Sequence, residues 1–153
     1  MGAGTELVER ALLGPYASLH GTDIDERAIE AARTNLGAAG LSRFRLARAD
    51  ARTAGPEEPP SLVLTNPPFG KRLLRPEAIV PLLRDVLANV GGRIREGGRV
   101  VWVCPTVAVN AALAESTGFF VEKRLSVDLG GVLAEIQKLV PKHGGRRGPR
   151  RKL

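Results

Sequence analysis

Ser61-Leu62-Val63-Leu64-Thr65-Asn66-Pro67-Pro68-Phe69-Gly70 is the stretch on which the reading of this chain turns. Ser61 to Thr65 is a short apolar run of the kind that forms a buried strand. Pro67 and Pro68 halt it, because neither can donate to a ladder and both hold the backbone extended. A buried strand that runs into a stiff, polar-edged turn is how open α/β sheets present chemistry at their carboxyl ends.

On either side of this stretch, strand-like and helix-like segments alternate. Upstream, Thr53 to Pro60 is a Pro- and Glu-rich loop, and Phe44 to Ala49 reads as a strand with Phe44, Leu46 and Ala47 inward. Before that, Asp25 caps a helix from Glu26 to Ala39 with an Ile29, Ala32 and Leu36 stripe, left through Gly37 and Gly40. Ser18 to Asp23 is a strand, and Thr5 to Leu13 is a helix with Leu7, Val8, Ala11 and Leu12 on one face. Downstream, a helix over Pro76 to Val90 turns Ile79, Val80, Leu83, Val86, Leu87 and Val90 inward. After the Gly91-Gly92 and Gly97-Gly98 breaks comes Arg99 to Cys104, apolar enough to be covered on both faces. Thr106 caps a helix to Ser116, and strands over Phe119 to Val127 and Val132 to Val140 flank Asp128-Leu129-Gly130-Gly131. The alternation predicts an α/β fold: a doubly wound, mostly parallel sheet closed by a C-terminal antiparallel hairpin.

Composition narrows the classes. The chain has 153 residues, 43% of them hydrophobic and 25% charged, with 18 Gly, 11 Pro and one Cys. That length supports one core. A single cysteine excludes a disulfide framework and a Cys-rich zinc site, and fits a reducing, cytoplasmic setting. No stretch is long and apolar enough to span a bilayer, and the start lacks the basic and apolar regions of a signal peptide.

The net charge of +7 is uneven: KHGGRRGPRRKL, residues 142–153, holds six Lys and Arg and no acid, which leaves about +1 for residues 1–141. This tail cannot bury enough apolar surface to fold, so it is expected to be a disordered basic arm able to bind phosphates.

Two motifs carry chemistry. Gly2-Ala3-Gly4 opens a helix, and Asp23 ends the next strand, which is half of a nucleotide-binding fingerprint: glycines admit a ligand close to the backbone, and the carboxylate accepts from ribose hydroxyls. A dinucleotide is disfavoured because Leu7 stands where a third glycine belongs. In Asn66-Pro67-Pro68-Phe69 the Asn66 side-chain oxygen and the Pro67 carbonyl form adjacent acceptors suited to a planar NH₂ group. Held on two acceptors, an exocyclic amine pyramidalises and its lone pair can attack an electrophilic methyl. No strong base is needed, and Phe69 offers a face for an extruded base. Cys104 reads as a core residue, outside any position for a cytosine C5 nucleophile. Trp102 also reads as core. His20 and His143 are lone histidines, and no metal-ligand spacing is present.

GAGTELVE, GTDID, ARADA and TNPPFGKR together resemble the class I S-adenosylmethionine-dependent methyltransferases, and among them the THUMP-type RNA N2-guanosine methyltransferases. The resemblance covers most of residues 1–140 and is most specific at TNPPFG; Gly70-Lys71-Arg72 narrows it toward RNA. It implies a Rossmann-like domain over 1–141 in which Gly2 and Gly4 line the methionine part of S-adenosylmethionine, Asp23 binds its ribose and Asp50 its adenine amine. Asn66, Pro67 and Phe69 would then hold the target base, and Lys71, Arg72 and Arg75 stand where an RNA backbone passes.

The implied substrate is a guanine N2 amine in tRNA or rRNA. The alternatives are an N6-adenine DNA or RNA methyltransferase, a protein glutamine methyltransferase, or a non-catalytic RNA-binding remnant. The sequence also departs from the family. A Gly turn of this kind follows a strand, yet in residues 1–153 only Met1 stands before Gly2, and the RNA-recruiting domain that the resemblance implies is not among them. The chain is therefore expected to be an N-terminally truncated catalytic domain, its first strand missing and its neighbours' edges exposed.

Overall fold

The computed structural model describes residues 2–67, 76–104, 110–131 and 133–142. Phe69, Lys71, Arg72, Arg75, Thr106, His143 and all but the first residue of the basic tail lie outside them. The described elements alternate as the periodicity predicts. They run α1 (Thr5–Leu12), β1 (Leu19–Asp23), α2 (Glu26–Ala38), β2 (Phe44–Arg48), β3 (Leu62–Thr65), α3 (Pro76–Gly91), β4 (Arg99–Cys104), α4 (Asn110–Ser116), β5 (Phe119–Asp128) and β6 (Leu133–Pro141).

The strands form two sheets. β1 and β2 pair in parallel, while the second sheet has the order β3-β4-β6-β5, parallel at β3-β4 and antiparallel thereafter. β6 returns between β4 and β5, so the hairpin through Asp128–Gly131 closes the sheet at its far edge. Asp128 Oδ1 accepts the Gly131 N–H (2.6 Å) across that turn.

Each sheet has its own core. Leu19, Ala32 and Leu36 are buried under α1 and α2, with Tyr16, Phe44 and Leu46 packed around them. In the other, Ile79, Leu83 and Leu87 of α3 and Leu113 and Ala114 of α4 cover Val100, Trp102, Cys104, Phe119 and Leu139. At one face of β4 a polar chain is sealed in: Trp102 Nε1 donates to Gln137 Oε1 (2.9 Å), and Gln137 Nε2 donates to Glu135 Oε2 (2.5 Å).

Three burial expectations are corrected. Ala47 is exposed because β2 keeps strict period-two alternation, which puts Phe44 and Leu46 on one face and Ala47 on the other. Leu12 is 74% exposed, since α1 packs chiefly against α2 and β1 and has no fully buried residue. In β4 only Val100, Trp102 and Cys104 are buried, whereas Val101 and Val103 on the opposite face are half-covered.

Candidate active site

The Gly2–Gly4 turn is anchored from two sides. The Gly2 N–H donates to Asp23 Oδ2 (2.8 Å), and Asn35 Nδ2 of α2 donates to the Ala3 carbonyl (3.0 Å). Both glycines have positive φ, 58° at Gly2 and 80° at Gly4, which an L side chain adopts only with strain. Their surroundings differ. A Cβ on Gly2 would meet open space, so the backbone there is accessible to a ligand, whereas one on Gly4 would lie 2.9 Å from Ala32 Cβ. Gly4 thus lets α1 start hard against α2, doing the packing work expected of the third glycine in a dinucleotide turn.

Asp23 sits at the carboxyl end of β1, half-buried. Its Oδ1 accepts the Asp25 N–H (3.0 Å), which turns the chain into α2, and Asp25 in turn caps that helix by accepting the Arg27 N–H (3.0 Å). Burial pushes the Asp23 carboxyl up, but the amides of Asp25 and Gly2 pull it further down, so it lies below its ordinary 3.8. The group is a carboxylate at neutral pH.

Asp50 follows β2 at the same end, because the Ala49 N–H donates to the Asp23 carbonyl (2.8 Å). The Arg52 side chain holds it: Nε and Nη2 reach Oδ2 at 2.9 and 2.6 Å, and the Arg52 amide reaches Oδ1 at 2.9 Å. Those bonds lower the Asp50 carboxyl below its ordinary value. A ligand amine on Asp50 must therefore share it with, or displace, the guanidinium.

The loop after Asp50 is fixed from α3, which the sequence reading missed. Asn89 Nδ2 donates to the Ala51 and Ala54 carbonyls (2.9 and 2.8 Å), while its Oδ1 accepts from Arg93 Nε (2.8 Å) and Arg93 Nη2 reaches the Thr53 carbonyl (2.9 Å). The only local signal was an Asn in the last turn of α3 and an Arg four residues on, just past its end.

Asn66 and Pro67 come directly after β3, Asn66 exposed and Pro67 buried. The structure thus joins Gly2 to Asp23 and sets Asp50 one residue from the Ala49–Asp23 bond. Among the described residues it shows no bond from Asn66 or Pro67 to these groups. Cys104 is fully buried, and His20 pairs with Ser18 Oγ (3.3 Å). No three His, Cys, Asp or Glu among the described residues are grouped to hold a metal.

Charged carboxylates at the carboxyl ends of β1 and β2, a Gly turn tied to the first of them, and Asn-Pro-Pro after β3 of the second sheet are together the features of a methyltransferase-type α/β domain. The chain belongs to the UPF0020 family, the RMKL-like methyltransferase domain, whose profile matches residues 1–135. It is 36% identical over 138 residues to the tRNA (guanine(6)-N2)-methyltransferase of Thermus thermophilus, an alignment covering 88% of this chain and 41% of that protein. It is 28% identical over 140 residues to the tRNA (guanine(10)-N2)-dimethyltransferase of Methanothermobacter thermautotrophicus, covering 91% and 41%. The crystal structure of TrmN from Thermus thermophilus superposes with a TM-score of 0.74 at 31% identity, over 92% of this chain and 41% of that one. The chain therefore spans about two-fifths of the length of these relatives.

Proposed function

We propose that this chain is the catalytic part of an S-adenosylmethionine-dependent RNA methyltransferase that methylates a guanine N2 amine, in tRNA or rRNA. The observation that carries the reading is Asn66-Pro67 at the end of β3, with Asn66 exposed and Pro67 buried, in a chain of a methyltransferase-domain family. Residues at the strand ends fit the methyl donor. Gly2 leaves open space beside its backbone, and Asp23 and Asp50 are charged acceptors for ribose hydroxyls and an adenine amine. S-adenosylmethionine supplies an electrophilic methyl on sulfur.

The protein's share is positioning. Asn66 Oδ1 and the Pro67 carbonyl accept both hydrogens of the guanine amine, which turns its lone pair toward the methyl, and the proton leaves after transfer. Phe69 stacks on the base, and Lys71, Arg72 and Arg75 hold the neighbouring phosphates. The curated relatives of the chain are named for guanine N2 chemistry in tRNA, which supports this amine over adenine N6 or glutamine. No helix among the described residues is long and apolar enough to cross a membrane, and a tRNA substrate fits a cytoplasmic enzyme. The 142–153 arm and an upstream RNA-recruiting domain complete the substrate grip.

The test incubates the protein with methyl-labelled S-adenosylmethionine and bulk tRNA and digests the product to nucleosides. The expected label is N2-methylguanosine, lost by at least about a hundredfold in Asn66→Ala. Label in N6-methyladenosine or in protein would transfer the reading to those substrates, and RNA binding without label would leave a binding module.

A further inference from the structure

The loop after β2 is pinned to α3 on both sides of Arg52. Asn89 Nδ2 donates to the Ala51 and Ala54 carbonyls (2.9 and 2.8 Å), and Arg93 Nη2 donates to the Thr53 carbonyl (2.9 Å). The Thr53 and Ala54 amides close back on the Asp50 carbonyl (3.0 and 2.8 Å). With the backbone fixed in this way, what is left to swing is the Arg52 side chain, a guanidinium on a flexible stem that is 51% exposed.

Asp85 stands on α3 one turn before Asn89, so the two lie along one face of that helix. Asp50, Arg52, Thr53, Asp85, Ala88 and Asn89 line a single open cavity of about 440 Å³. One cation and two carboxylates from different elements therefore share it. The bonds to Asp50 and its charge, and the charge of Asp85, hold the guanidinium above its ordinary value. Among the described residues Asp85 forms no ion pair of its own.

In the clasp on Asp50, Nε and Nη2 lie 2.9 and 2.6 Å from Oδ2, and such charge-assisted bonds outweigh the one bond that a neutral amine would make there. An adenine amine thus gains little on Asp50 unless the guanidinium it displaces finds another anion. Asp85 offers one inside the same cavity, at no loss of an existing pair.

We propose that Arg52 is a positioning residue for the cofactor: it covers Asp50 in the free protein and passes to Asp85 when the adenine amine of S-adenosylmethionine takes its place. Asp85 then sets how tightly the cofactor binds without touching it. The inference rests on the methyl-donor reading of the site, with the adenine amine on Asp50.

The probes are S-adenosylhomocysteine and its 6-deamino analogue, in which purine replaces adenine, each titrated into the whole chain by NMR. Arg52→Ala uncovers Asp50 and should tighten S-adenosylhomocysteine about three- to fivefold, whereas Asp85→Asn removes the second anion and should weaken it by about the same factor. Asp85→Glu should stay within about 1.5-fold of the unaltered protein. Asp85→Asn added to Arg52→Ala should change nothing further, because no guanidinium is left to receive. The deamino analogue makes no claim on Asp50, so none of these substitutions should shift its binding, while a damaged loop would weaken both probes together. The inference is overturned if Arg52→Ala weakens S-adenosylhomocysteine or leaves it unchanged, if the two substitutions act additively, or if the deamino analogue responds as strongly. In each of those cases the methyl-donor reading stands, provided that Arg52→Ala binds S-adenosylhomocysteine more tightly than the deamino analogue. If no variant binds S-adenosylhomocysteine, that reading fails and the inference falls with it.

Discussion

At the residue scale, Asp23 carries more than one bond. It ends β1, receives the amides of Gly2 and Asp25, and so ties the Gly turn to the start of α2. Its depressed carboxyl sets the sign of a pH effect. The folded state holds the ionised form more tightly than the unfolded chain, so this stabilisation is complete above about pH 5 and is lost as pH falls through 3.8 toward the lower folded value. Asp23→Asn should cost of order 1 kcal/mol at neutral pH, a modest figure because the group is half-exposed. The gap between the thermal melts of the two proteins should therefore narrow progressively as pH falls below 3.8. Asp25 as a cap was legible because a cap and the amide that donates to it lie within three residues. The Arg52 clasp on Asp50 is equally local, yet it went unread, since a charge pair two apart in a loop has no periodic signature. Asn89 was illegible for another reason: its partners lie 38 and 35 residues back along the chain.

At the element scale, alternation placed the ends of the ten elements that fall within the described residues to within about two residues, because hydrophobic period and Gly or Pro punctuation are properties of a single segment; the expected start of α4 at Thr106 lies outside those residues. Burial was read less well. Leu12 and Val101 belong to apolar stripes, and whether a stripe is covered depends on which other element comes to lie on it. The Trp102–Gln137–Glu135 chain shows the same limit. Gln137 looks like an ordinary polar residue in an apolar strand, and only the antiparallel register of β6 on β4 sets it opposite Trp102. Both are essentially fully buried. Gln137→Leu would strip the indole of its acceptor and Glu135 of its donor, at an expected cost of about 2–4 kcal/mol in urea unfolding. A loss below about 0.5 kcal/mol would mean that water replaces the amide.

For the whole molecule, the split sheet bears on cofactor affinity. Asp23 and the Gly2 turn hang on a two-stranded sheet, while Asn66 hangs on the other one, so a ligand bridging them must also hold the halves in register. That ordering cost is subtracted from its affinity. Residues 1–153 alone should bind S-adenosylmethionine with a dissociation constant no tighter than about 100 μM by calorimetry. Sub-micromolar binding would show that the halves are already locked. Among the described residues β1 and β3 each pair on one side alone. The sequence reading could not foresee that the two halves would keep separate cores.

Those separate cores also give the protein two built-in optical reporters. Its one tryptophan, Trp102, is sealed in the larger core, while its one tyrosine, Tyr16, packs against the smaller one beneath the Arg43 guanidinium, 5.1 Å from the ring centroid. Cooperative denaturation makes all probes report one midpoint, whereas weakly coupled units lose structure in sequence. In a denaturant series the tyrosine signal should therefore change first and the tryptophan signal later, the smaller core melting while the larger one persists. Coincident midpoints would mark the molecule as a single thermodynamic unit.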